Sequence, residues 1–117
     1  MTDSRPIGVF DSGVGGLTVA RAILDLLPRE SMIYVGDSAH FPYGPRSVEE
    51  IRGYAMEIAA ALVERDVKLL VVACNSIEVS AIGDIAAAAE VPVVGVIAPG
   101  VRAALRTTRN GRLGVIE

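Results

Sequence analysis

Leu69-Leu70-Val71-Val72-Ala73 is an uninterrupted apolar run, β-branched at its core and followed at once by Cys74-Asn75-Ser76. A run this short and continuous reads as a strand buried on both faces, as in a parallel sheet with helices on either side. The rest of the chain agrees. Ile7-Gly8-Val9-Phe10 predicts a first strand, and the loop Asp11 to Gly16 leads into a helix that begins near Leu17 or Thr18 and is ended by Pro28. Ser31 to Val35 predicts a second strand, closed by Gly36-Asp37, with a turn-rich stretch through Phe41-Pro42-Tyr43-Gly44-Pro45. Ser47 followed by Glu50 is a capping box, in which the hydroxyl accepts from the N3 amide and the carboxylate reaches back to the cap amide. Ile51, Tyr54, Ala55, Ile58, Ala59 and Leu62 then recur at helical spacing and give one face for the sheet, until Arg65-Asp66 closes the helix. A third strand is expected from Lys68 to Ala73, a helix from about Ser76 to Ala89, and a fourth strand from Val91 to Ile97. Pro99-Gly100 is expected to break the chain. A short helix from about Val101 to Thr107, the turn dipeptide Asn110-Gly111 and a last strand from Leu113 to Ile116 complete the pattern. Strands alternating with helices at this spacing imply right-handed crossovers and an α/β three-layer sandwich around a parallel sheet.

Composition narrows the partners. About half the residues are apolar, enough for one core, and Ala and Val outweigh the sparse aromatics, which suits helices stacked closely on a sheet. The formal net charge is −3, and no basic cluster interleaves with aromatics, so nucleic acid is not an expected partner. Neither a signal peptide nor a membrane-spanning run is apparent, and the expected compartment is the cytoplasm. One cysteine cannot form an internal disulfide, which suits a reducing compartment, and one His with one Cys does not make a metal site.

Parallel strands all end on one side, so Asp11-Ser12, Asp37-Ser38 and Cys74-Asn75-Ser76 share a rim, outside which ligands bind in open α/β sheets. Three successive strands each deliver a carboxylate or thiol beside a small hydroxyl or amide residue, a coincidence that argues for chemistry at Cys74 over plain packing. The loop Asp11-Ser12-Gly13-Val14-Gly15-Gly16-Leu17-Thr18 has two readings. Gly13 and Gly15 match the first two glycines of a dinucleotide fingerprint, with Asp37 placed for a ribose; yet Thr18 stands at the third glycine and Asp11 would face the pyrophosphate. The other reading is a tight strand-to-helix turn that needs glycine for backbone reasons. Asp11 near a thiol can accept or relay a proton. Phe41-Pro42-Tyr43-Gly44 is too apolar for an ordinary solvent loop and is expected to fold over the crevice, and His40 is expected as a surface loop residue.

Taken together, Ile7 to Thr18, Tyr34-Val35-Gly36-Asp37-Ser38, Pro42-Tyr43-Gly44 and Ala73-Cys74-Asn75-Ser76 resemble the N-terminal half of the glutamate racemases, in the aspartate/glutamate racemase family. The resemblance implies a flavodoxin-like sheet and a racemase-type α/β domain over residues 1–98, with 99–117 as the helix and strand that begin a second domain. It implies a cofactor-independent isomerase that interconverts L- and D-glutamate for peptidoglycan supply, using two thiols on opposite faces of the α-carbon. Cys74 would be one of the pair and Asp11 would assist its proton transfer. Ser12, Asp37, Ser38, Pro42, Tyr43, Gly44, Asn75 and Ser76 match substrate-binding positions. Where the family has Thr and then small residues after Cys-Asn, this chain reads Ser76-Ile77-Glu78, and Ile77 or Glu78 facing the crevice would narrow it or repel a carboxylate. The half carrying the second thiol is absent. The chain is then an inactive half, a symmetric homodimer that rebuilds the two-thiol site, or a non-catalytic domain binding a small anionic amino acid or a nucleotide.

Overall fold

The computed structural model describes residues 3–114. Strands β1 (Ile7–Asp11), β2 (Met32–Gly36), β3 (Leu69–Val72) and β4 (Val93–Gly95) form one sheet in the order β2-β1-β3-β4, with every neighbouring pair parallel. Helices α1 (Leu17–Leu26), α2 (Val48–Glu64), α3 (Asn75–Ala88) and α4 (Ile97–Thr107) alternate with the strands, and a 3-10 turn, Ser38–His40, precedes α2.

The period-2 alternation of the two central strands sorts their side chains between two cores. Phe10, Leu70 and Val72 face α2 and α3, where Ile51, Ala55, Ala59, Leu62, Ile77, Ala81 and Ile85 close over them. Ile7, Val9 and Val71 point the other way, against Val19 and Ile23 of α1. The sheet is therefore the middle of three layers, as its continuous apolar strands require. Phe10, Leu62, Leu70, Ile77 and Ile85 are fully buried, and each side chain of this size contributes about 1.5–3 kcal/mol by leaving water. The chain steps outward from β1 to β2 and then returns past β1 to β3, which puts a topological switch point between β1 and β3.

The capping box forms as expected: Ser47 Oγ accepts from Glu50 N at 3.1 Å, and Glu50 Oε1 accepts from Ser47 N at 3.4 Å. The chain departs from expectation after β4. That strand is shorter than Val91 to Ile97, and α4 starts at Ile97 rather than Val101. The reason is Glu78 on α3, whose Oε1 accepts from Val96 N at 2.7 Å and from Ile97 N at 3.0 Å, so these amides cap a helix instead of extending a ladder. Pro99-Gly100 does not break the chain, because Pro99 lies in the first turn of α4, where no intrahelical partner is lost. At the expected last strand, Leu113 and Gly114 are irregular, and the remainder lies outside the described residues.

Candidate active site

Strand register assembles the rim. Asp11 pairs with Gly36, and Phe10 with Val72; beyond the strands, Asp37 N donates to Asp11 O at 3.0 Å and Ala73 N to Phe10 O at 2.9 Å. Asp11, Asp37 and Cys74 consequently emerge at one edge, with Asp11 and Cys74 flanking the switch point.

Cys74 is the N-cap residue of α3, in extended conformation, and is 7% exposed. Its neighbours include core aliphatics, but the sulfur is not sealed among them: Sγ donates to Ser12 Oγ at 3.6 Å. Ser12 Oγ donates in turn to Asp11 Oδ1 at 3.4 Å. The thiol proton thus points along a hydroxyl toward a carboxylate, and Asp11 reaches sulfur through Ser12.

Asp11 also holds its own loop closed. Its carboxylate, 5% exposed, accepts from the amides of Ser12 and Gly16 and from the Tyr34 hydroxyl. Because Gly16 is the N-cap of α1, this side chain fills the place where a pyrophosphate would sit, and the amides of Leu17 and Thr18 bond back to Val14 and Gly15. A Cβ at Gly16 would collide with Ala73 and Asp11, and one at Gly13 with the Phe41 ring. Gly13 and Gly16 are therefore used in close packing, and with Asp11 filling the anion position the geometry favours the turn reading over the dinucleotide one. Tyr34 braces the loop through Gly13 O at 3.0 Å, and burial, then the Asp11 charge, push its phenol up to about 12.

The second carboxylate faces a different set. Asp37 accepts from Tyr43 Oη at 2.6 Å and from His40 Nδ1 at 2.8 Å. Burial raises its carboxyl, but these hydrogen bonds outweigh burial and hold it below the ordinary range. Burial and the Asp37 contact push the Tyr43 phenol well above its usual value. The Tyr43 hydroxyl proton is thus committed to Asp37, which leaves the phenolic oxygen able to accept a hydrogen bond but not to donate one. Phe41 lies against Gly13, and Phe41, Pro42 and Gly44 are exposed, while Tyr43 is 1% exposed. Asn75 and Ser76 occupy the first two positions of α3, with no side-chain hydrogen bond among the described residues, and exposed Ser38 likewise has none.

Ile77 is fully buried under α2, and the Glu78 carboxylate is occupied by the amides of Val96 and Ile97 at the C-terminal end of β4. The sequence gives no signal for Tyr34, which reads as one more strand residue; His40 is on the surface and Tyr54 packs against the α2 core as expected, but the stacking of the two rings at 3.9 Å has no local signal. A groove of about 310 Å³ between α2 and α3, lined by Met56, Ala59, Val63, Ile85 and Ala89, lies apart from this rim. Among the described residues, no helix is long and apolar enough to cross a membrane.

Fold and rim together define a parallel α/β domain whose switch-point crevice carries a hydrogen-bonded thiol. The chain belongs to the Asp/Glu/Hydantoin racemase family, whose profile matches residues 7–117. The glutamate racemase of Mycobacterium avium (strain 104) is 60% identical to it over 111 residues, which is 95% of this chain and 40% of that protein. The solved glutamate racemase from Aquifex pyrophilus superposes with a TM-score of 0.89 at 45% identity, covering 92% of this chain and 42% of the other. That of Francisella tularensis in complex with D-glutamate gives 0.83 at 43% identity, over 87% of this chain and 39% of the other. The chain therefore spans about two-fifths of the length of these relatives.

Proposed function

We propose that this chain forms one face of a cofactor-independent glutamate racemase centre, with Cys74 as the acid/base for one enantiomer. The observation that carries the proposal is the donor chain from Cys74 Sγ through Ser12 Oγ to Asp11 Oδ1 at the switch point between β1 and β3. Family membership and the glutamate racemase relatives support it.

In the forward step the thiol proton passes toward Asp11, leaving a thiolate beside the α3 N-terminus, where negative charge is favoured. The thiolate then takes the α-proton: an S–H bond forms, the Cα–H bond breaks, and the electron pair is left on the α-carbon and spread into the substrate carboxylate. Return of a proton from the same sulfur restores the starting enantiomer; inversion needs an acid on the opposite face. Asn75, Ser76 and the first amides of α3 receive the substrate carboxylate. Ser12 and the Pro42-Tyr43-Gly44 turn bound the other side, and Asp37 with Ser38 forms the base of that turn. The part of the chain through β4 acts as the racemase-type domain, and α4, which begins at Ile97 rather than at 99, leads into a second domain. The opposite face comes from the remainder of that second domain or from a second copy of the chain. The product would be D-glutamate for peptidoglycan, made in the cytoplasm.

Because Cys74 is the only cysteine, alkylation by iodoacetamide reports this site alone. Glutamate is expected to protect Cys74 in a saturable way while NAD does not. Saturable protection by NAD with none by glutamate would replace this reading with the nucleotide-binding one.

A further inference from the structure

Asp37 binds two donors that the thiol chain does not use, Tyr43 Oη and His40 Nδ1. The imidazole lies almost flat on the Tyr54 ring, with centroids 3.9 Å apart and planes 14° from parallel. Arg46 closes the circuit: its Nε donates to His40 O at 2.9 Å, and its Nη1 to Tyr54 Oη at 3.2 Å and to Glu50 Oε2 at 3.3 Å. Arg46 N further donates to Tyr43 O at 2.9 Å. The segment from Asp37 to Arg46, which presents Pro42, Tyr43 and Gly44, is thereby fastened at both ends and held by its middle against α2.

We propose that His40 is a positioning residue for this turn: the imidazole, resting on Tyr54, supplies an N–H to Asp37, and this contact holds Tyr43 and Gly44 ready for substrate. The proposal rests on the reading of Pro42 to Gly44 as part of the amino-acid site. A solvent-exposed His–Asp pair would do little. Here the His40 side chain is 41% exposed, but that of Asp37 is only 13% exposed and its other partner, Tyr43, is 1% exposed, so losing the His40 donor leaves a largely buried carboxylate short of a hydrogen bond. A turn fixed before binding also spares the ligand the cost of ordering it.

Three substitutions separate the two contacts. His40→Asn places an amide N–H near the position of Nδ1 but loses the stacking; His40→Phe keeps the stacking and loses the donor; His40→Ala loses both. Amide hydrogen exchange across residues 37–46 reads the turn, and the glutamate concentration that half-protects Cys74 from iodoacetamide reads binding. His40→Phe and His40→Ala should raise that concentration about 3- to 10-fold, as for loss of one ordinary hydrogen bond, and speed exchange in 37–46 while β1 and β3 exchange as before. His40→Asn should stay close to wild type in both. Wild-type values in His40→Phe and His40→Ala, or faster exchange spread through β1 and β3, would overturn the proposal. If glutamate fails to protect the wild type, the reading of the amino-acid site falls, and the exchange data alone then decide the clamp by the same criteria.

Discussion

Ser12 links a sulfur to a carboxylate: its hydroxyl accepts from Cys74 and donates to Asp11. Ser12→Ala should therefore leave Cys74 and Asp11 in place yet slow exchange of the glutamate α-proton by about tenfold, a part of the roughly 10²- to 10⁴-fold that positioned proton transfer supplies. Solvent-deuterium incorporation followed by mass spectrometry measures this, and an unchanged rate would remove Ser12 from the relay. Tyr34 gives a pH-dependent test of the same loop. Its folded phenol sits near 12 against an ordinary 10.0, raised by burial and then by Asp11. The neutral form is thus the one the fold favours: its contribution is fully present below pH 10 and is lost as the pH climbs toward 12. Tyr43, raised for similar reasons, has the same sign. Tyr34→Phe should lose less stability than wild type between pH 10 and 12, read from urea midpoints, and parallel curves would contradict the assignment.

Helix α3 carries two residues whose roles diverge within one turn. Ile77 is completely buried in the α2–α3 core, and Ile77→Ala is expected to cost about 2–5 kcal/mol in a urea titration. Glu78, next to it, holds two amides at the start of α4. Glu78→Ala should cost about 0.5–2 kcal/mol, as loss of a cap does, and should speed exchange at Val96 and Ile97, whereas Glu78→Gln keeps an acceptor and should lose less. Equal exchange at those amides in Glu78→Ala would show that α4 starts there without help. The two cases also mark how much was legible in the sequence. The Ser47 capping box could be read directly because its partners lie three residues apart. The start of α4 could not, because its cap comes from a side chain eighteen residues upstream and because Pro99, normally a breaker, is harmless in a first turn.

Across the whole molecule, the sheet order brings Asp11 and Cys74 to the same switch point; the shared rim follows from parallel strands alone, but the order does not. Alternating strand and helix patterns therefore disclosed both the rim and the thiol. The stacking of His40 on Tyr54 was not legible, since helical spacing aimed Tyr54 at the sheet and nothing local tied a turn residue to α2. The chain carries one thiol, so a lone copy should exchange the α-proton of one enantiomer with retention and should not racemise. Racemisation per protein that rises steeply across a concentration series would instead mark two copies facing one substrate. The most direct measurement is deuterium incorporation at the α-carbon of D- and L-glutamate in heavy water, by the wild-type chain and by Cys74→Ser with its circular dichroism and urea midpoint checked. The account predicts incorporation into one enantiomer by the wild type and its loss in Cys74→Ser; no incorporation by the folded wild type, or an unchanged rate in Cys74→Ser, would contradict it.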